Sequence, residues 1–129
     1  MDIGKILLVE DDLFLRDMYI QVFKSQGFTV LTADDGEAGL SLGQNNTDAK
    51  IMLLDIMLPK MHGIEVLRQL KANPATQKLP VAMISNLTEE KVMQEALSSG
   101  AVAYLVKVRL TPPELIAKVK ELIAGKTQA

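Results

Sequence analysis

The sequence predicts an α/β fold of the (βα)5 kind: a doubly wound sheet of five parallel strands in the order 2-1-3-4-5. Two observations carry that expectation. Five short apolar runs recur along the 129 residues, and segments with helical spacing of apolar residues separate them. Four of the five runs are near-continuous rather than alternating, as parallel strands covered on both faces are. Strand and helix alternating in this way fold with right-handed crossovers, which place helices on both sides of the sheet.

The strands are expected at Lys5–Val9, Phe28–Ala33, Ile51–Leu54, Val81–Ile84 and Ala103–Val106. Leu15, Met18, Val22 and Phe23 line the first helix, and Gly27 in "SQGF" stops it. The second helix, Gly36 to Leu42, is short and weakly patterned. Ile64, Leu67 and Leu70 make the third stripe, stopped by Asn73–Pro74. Thr88 is the expected cap of the fourth helix, with Glu89 and Glu90 in its first turn and Gly100 as its stop. Val92, Met93, Ala96 and Leu97 form its apolar face. The fifth helix has the best start signal. Thr111, Pro112 and Glu114 spell a capping box with proline at the first position. Leu115, Val119, Leu122 and Ile123 continue it, and "GKTQA" reads as a frayed tail. One domain spanning residues 1–129, with its core at about 5–123, accommodates all of this.

Composition narrows the function. The chain is 48% apolar and 23% charged, the balance of a soluble globular protein. A net charge of −2 gives no general reason to bind nucleic acid or an anionic membrane. The absence of cysteine excludes disulfides, zinc–thiolate sites and thiol catalysis. No signal peptide and no span-length apolar run is visible, so a cytoplasmic location is expected.

Sites in doubly wound sheets lie at the carboxyl ends of strands, beside the reversal of strand order. Here the reversal falls between strands 1 and 3. Strand 1 ends in Glu10, Asp11 and Asp12; strand 3 in Asp55; strand 4 in Ser85 and Asn86; strand 5 in Lys107. A lone acid in the run "KIMLLDIMLPKMHG" is costly unless something pairs with it. Carboxylates from neighbouring strands cannot all stay ionised without a cation. Mg2+, with its taste for carboxylate and phosphate oxygens, answers that need. Lys107 adds a point charge suited to phosphate, and Ser85 a hydroxyl donor. That set suits phosphoryl transfer, with a carboxylate as nucleophile.

These residues carry a resemblance. "ILLVEDD", "MLLDIMLPKMHGIEVL", "VAMISN" and "GAVAYLVK", in this order and spacing, resemble the receiver domain of bacterial two-component response regulators. The match runs from about Lys5 to Ile123, and the implied fold is flavodoxin-like. The resemblance implies that Asp55 is the phosphoacceptor. It implies that Asp11 ligates Mg2+ directly, Glu10 through water, and Met57 through its backbone carbonyl. Ser85 and Lys107 would bind the phosphoryl oxygens, and Ser85 with Tyr104 would form the switch. The implied donor is a sensor histidine kinase or a histidine phosphotransfer protein. The output is a changed surface on the fourth helix, fifth strand and fifth helix, read by an unidentified partner protein or by a homodimer. Such a chain catalyses only its own phosphorylation and dephosphorylation. Met57 and Leu87 occupy the positions that tune hydrolysis, and both are apolar, so self-dephosphorylation should be slow. A Met57→Asn, Leu87→Glu variant should decay faster.

One departure stands out. Receivers usually carry proline after the lysine, with a cis bond; here the residue is Val108. A cis bond to a non-proline costs roughly 2.5–4 kcal/mol, so the segment "KVRLTPPEL" either runs trans or is held under strain. Two other classes are alternatives. One is a pseudo-receiver that binds partners without phosphorylation, with Val108 as its support. The other is an aspartyl-nucleophile phosphatase, which would need its nucleophile on strand 1 and a cap insertion. Several residues also have plainer readings. Asp55 could be a structural acid paired with Lys107, and Tyr104 plain core. Asp12 reads as the first helix's N-cap. Asp34 and Asp35 read as a turn before Gly36, Asn86 as part of a turn, and His62 as exposed loop. Met1 and the polar tail suggest a stand-alone gene product.

Overall fold

A computed structural model describes residues 2–125. Lys126–Ala129 of the expected frayed tail lie outside the described residues. Five strands alternate with five α-helices: β1 (Lys5–Val9), α1 (Leu13–Ser25), β2 (Thr29–Ala33), α2 (Gly36–Gln44), β3 (Ile51–Asp55), α3 (Gly63–Ala72), β4 (Val81–Ser85), α4 (Glu90–Ser98), β5 (Ala103–Val106) and α5 (Pro112–Ile123). A short 3-10 turn, Lys107–Arg109, joins β5 to α5. The sheet is parallel throughout, in the order β2-β1-β3-β4-β5. Fold class and strand order are those expected from the apolar runs.

Period-two geometry sends alternate strand residues to opposite faces. Leu7, Val9, Met52, Leu54, Val81 and Met83 build one core with α2, α3 and α4. Ile6, Leu8, Ile51, Leu53, Ala82 and Ile84 build the other with α1 and α5. β3 and β4 are buried at every position, whereas the edge strand β2 is buried only at Ala33. The near-continuous runs in the sequence are these two strands together with β1 and the other edge strand, β5, each buried at all but one position.

Helix ends follow local chemistry, with one correction. Asp12 caps α1 by accepting from the Leu15 amide, and Asp35 caps α2 by accepting from Ala38. Thr111 and Glu114 form the expected capping box on α5. Thr88 does not cap α4: the cap position is Glu89, whose side chain makes no capping bond. The Asp34–Asp35 turn is therefore also a helix start. Gly27 and Gly100 stop α1 and α4 with positive φ, 98° and 111°.

α2 docks for a reason its weak pattern hides. Gly36, Gly39 and Gly43 are its buried residues. They let the helix lie close against Val9 of β1 and against Leu70 of α3.

Candidate functional site

The site forms where β1, β3, β4 and β5 end. Asp55 and Ser85 are the last residues of their strands, one position further into the sheet than the apolar runs alone suggested. Both are buried, with Asp55 only 6% exposed. Glu10, just past β1, is 1% exposed, and Asp11 beside it faces solvent. Glu10, Asp11 and Asp55 offer carboxylate oxygens that all lie within 4.8 Å of one another. Three hard oxygen donors so grouped fit a divalent cation of the Mg2+ type better than a soft metal.

Lys107 supplies the charge that three acids require. Its Nζ donates to Glu10 Oε1 at 2.5 Å and to Asp55 Oδ2 at 2.9 Å. Asp55 Oδ1 accepts from the Ile56 amide at 2.7 Å, and Glu10 Oε2 accepts from the Asp12 amide at 3.2 Å. Burial pushes the Glu10 carboxyl above the ordinary carboxylate range, although Lys107 and the Asp12 amide pull it back. Burial also disfavours the Lys107 ammonium, but its bonds to Glu10 and Asp55 and their charges outweigh that, so its pKa is raised. The sequence suggested an Asp55–Lys107 pair; the structure adds Glu10 as a second partner.

Ser85 Oγ accepts from the Leu87 amide at 3.1 Å, and its hydroxyl also interacts with the Tyr104 phenol. Tyr104 points its hydroxyl at the Leu87 carbonyl, 2.8 Å away, and so ties β5 to the segment after β4. Burial raises the Tyr104 phenol above its ordinary value. Asp55, Met57, Ser85, Asn86, Leu87 and Lys107 together line an open cavity of about 180 Å³. The Met57 side chain stands at its rim, 60% exposed.

Two glycines fix the acid's position. A Cβ on Gly63 would sit 2.0 Å from the Asp55 carbonyl oxygen. The segment after β3 folds back here, with the Gly63 amide donating to Ile56 O at 2.8 Å. A Cβ on Gly36 would lie 1.9 Å from Met61 O, so the same segment also presses on the start of α2.

His62 is exposed, as expected, but it is also the N-cap of α3, with Nδ1 accepting from the Ile64 amide at 3.4 Å. All described peptide bonds are trans, Lys107–Val108 among them. The Val108 amide donates to Asn86 Oδ1 at 3.0 Å, a contact between two loops that sequence reasoning missed. Its only signal was an N–H at a position where a proline would have none.

A family model for the response regulator receiver domain matches residues 6–120. The transcriptional regulatory protein CpxR of Klebsiella pneumoniae is 36% identical over 120 residues, which cover 93% of this chain and 49% of that protein. The chain spans about half the length, or less, of the curated relatives it matches. A CheY-like receiver domain protein from Methanospirillum hungatei superposes with a TM-score of 0.86 at 28% identity, covering 95% of this chain and 94% of that one. A CheX–CheY–BeF3–Mg2+ complex from Borrelia burgdorferi gives 0.84 at 31% identity, covering 92% and 88%. The chain belongs to the response regulator receiver domain family.

Proposed function

We propose that this receiver is a phosphorylation switch, with Asp55 as its phosphoacceptor. One observation carries the reading. Asp55 lies at the end of the innermost strand, beside two more acids and a lysine, and opens into the cavity that Ser85 lines. In the transfer, an Asp55 carboxylate oxygen attacks the phosphorus of a donor phosphohistidine. The P–O bond forms, the P–N bond breaks, and the imidazole leaves and takes up a proton. Lys107, already on Asp55, holds the incoming phosphoryl oxygens, and the Ser85 hydroxyl turns to donate to one of them. Glu10, Asp11 and the Met57 carbonyl would hold Mg2+ with Asp55. A bound Mg2+ neutralises phosphoryl oxygens and so lets two anions meet. A similar CheY was solved in a complex that contains Mg2+ and BeF3, which supports this choice of ion.

The output reading follows from Ser85 and Tyr104. Both contact Leu87, so a Ser85 drawn toward the phosphoryl group disturbs the Tyr104 bond and the surface of α4, β5 and α5. A partner or a second copy would read that change. The donor, a sensor histidine kinase or phosphotransfer protein, has a separate approach. Leu13, Phe14, Met57 and Val108 are exposed apolar residues on segments that follow β1, β3 and β5. Of these, Met57 lines the cavity through which a donor histidine must reach Asp55. Met57 and Leu87 give an attacking water no polar partner, which supports slow self-dephosphorylation. We place residues 5–123 in one receiver unit. No helix among the described residues is long and apolar enough to cross a membrane, which supports a cytoplasmic location.

Intact-mass analysis after incubation with acetyl phosphate and Mg2+ tests the reading. The expected result is one added phosphoryl group, absent in Asp55→Ala. A parent chain that gains no adduct under any condition is a phosphorylation-independent interaction module instead.

A further inference from the structure

Two short segments frame the cavity, and each presents one cationic or hydroxyl group to it. Residues 85–87 carry Ser85, and residues 107–109 carry Lys107. The next residue along each segment ties the two together: the Val108 amide donates to Asn86 Oδ1 at 3.0 Å, across 22 positions of sequence. The 3-10 turn that holds Lys107 is flanked by the buried Val106 and by Leu110, which packs on the core, but its middle is exposed. Val108 is 78% exposed, and Arg109 also faces solvent, so neither side chain fixes the turn by burial. The turn's own closing bond, Leu110 N to Lys107 O, is long at 3.3 Å.

Lysine has a four-carbon stem with many rotamers, so the place of its Nζ depends on where the backbone holds its root. The Asn86 bond exists because position 108 carries an N–H. A proline there would remove the donor, and would also push Lys107 away from the helical conformation it adopts.

We infer that Asn86 is a positioning residue: through the Val108 amide it fixes the turn from which Lys107 reaches Glu10 and Asp55, and it makes the two segments move together. Asn86 touches no reacting atom in this role. The inference rests on the phosphoacceptor reading for its kinetic consequence, and on geometry alone for the rest.

The test uses the whole chain and five variants: Asn86→Ala, Asn86→Asp, Val108→Ala, Val108→Pro and the double Asn86→Ala/Val108→Pro. Three readouts apply: hydrogen exchange at the Val108 amide, the Lys107 Cε resonance without metal, and the rate of adduct formation with acetyl phosphate and Mg2+. In Asn86→Ala the Val108 amide should exchange about fivefold faster, the factor expected for one ordinary hydrogen bond. The Lys107 resonance should move toward that of a free lysine, and adduct formation should slow by a similar factor. Val108→Ala keeps the N–H and should match the parent in amide exchange and in the Lys107 resonance. Asn86→Asp keeps the acceptor and should retain amide protection. In the Val108→Pro background, Asn86→Ala should change neither the Lys107 resonance nor the rate.

Unchanged Val108 exchange or an unmoved Lys107 resonance in Asn86→Ala overturns the inference. So does an equal effect of Asn86→Ala in the parent and proline backgrounds, which would mean that Asn86 acts without Val108. A parent that forms no adduct overturns the phosphoacceptor reading alone, and the amide exchange and the Lys107 resonance then decide the role of Asn86.

Discussion

At the scale of single residues, Lys107 is the group on which the metal-free site depends. It is the shared partner of Glu10 and Asp55, both nearly out of water. Removing one member of a buried charge cluster leaves the others uncompensated. A Lys107→Met variant should therefore lose on the order of 3 kcal/mol at neutral pH. The sign with pH is fixed by the raised pKa of Lys107. The stabilisation it contributes is fully present below the ordinary lysine value of about 10.4, and is lost as pH rises through the raised one. Urea unfolding of parent and variant at a series of alkaline pH values should show the gap closing from the high side. Mg2+ should close part of the gap too, because it replaces the missing cation between Glu10 and Asp55. A gap that is flat with pH and indifferent to Mg2+ would place the importance of Lys107 in its packing.

At the scale of elements, the segment between β3 and α3 is the tightest part of the molecule. It folds back on the Asp55 carbonyl at Gly63 and on α2 at Gly36, and turns through Lys60 with φ of 70°. A left-handed conformation at a residue with a Cβ is disfavoured, so the turn holds some strain. Its Lys60–Asp35 ion pair, at 3.6 Å and with the lysine exposed, offsets little of it. Gly63→Ala forces a methyl against backbone that cannot yield as a side chain could. We expect it to destabilise the fold by about 3 kcal/mol, at the upper end of overpacking costs. The same change should also slow phosphorylation in whatever fraction remains folded, because the atom it meets belongs to Asp55. Thermal unfolding and adduct formation together check both parts.

At the scale of the whole molecule, the two tyrosines report on the two sides of the sheet. Tyr19 lies in the core beneath α1 and α5, and Tyr104 packs against the core on the opposite face. The chain has no tryptophan, so tyrosine fluorescence is a clean probe. Tyr19→Phe and Tyr104→Phe each leave a single reporter. Because β1, β3 and β4 belong to both cores, the two faces should melt together, with coincident denaturation midpoints corrected for each variant's stability. Separate transitions would mean that one helix layer peels from the sheet first.

What the sequence revealed at this scale follows from what is periodic. Buried strands advertise themselves as apolar runs, and strand ends in this topology locate a site, so Glu10, Asp11, Asp55, Ser85 and Lys107 were all legible as neighbours. Tertiary contacts that follow no period were not. The Glu10–Lys107 bond joins residues 97 positions apart. The glycine face of α2 read as weakness, because a helix that docks by closeness lacks the large apolar residues that mark most helices. Thr88 looked like a cap by residue type, but the path out of β4 places Glu89 at the helix start instead. The Asn86–Val108 contact needed both loops in view.

The burial of β3 on both faces has a consequence for how such a protein can change over evolutionary time. Asp55, the proposed phosphoacceptor, ends a strand buried at every position, whereas the side chains of Phe14 and Val108, the most exposed large apolar ones among the described residues, face solvent. Partner choice and chemistry are thus insulated from one another. Under the proposed function, such exposed positions can be exchanged to retarget the domain to a different signalling pair, while Asp55 keeps its place at the end of β3.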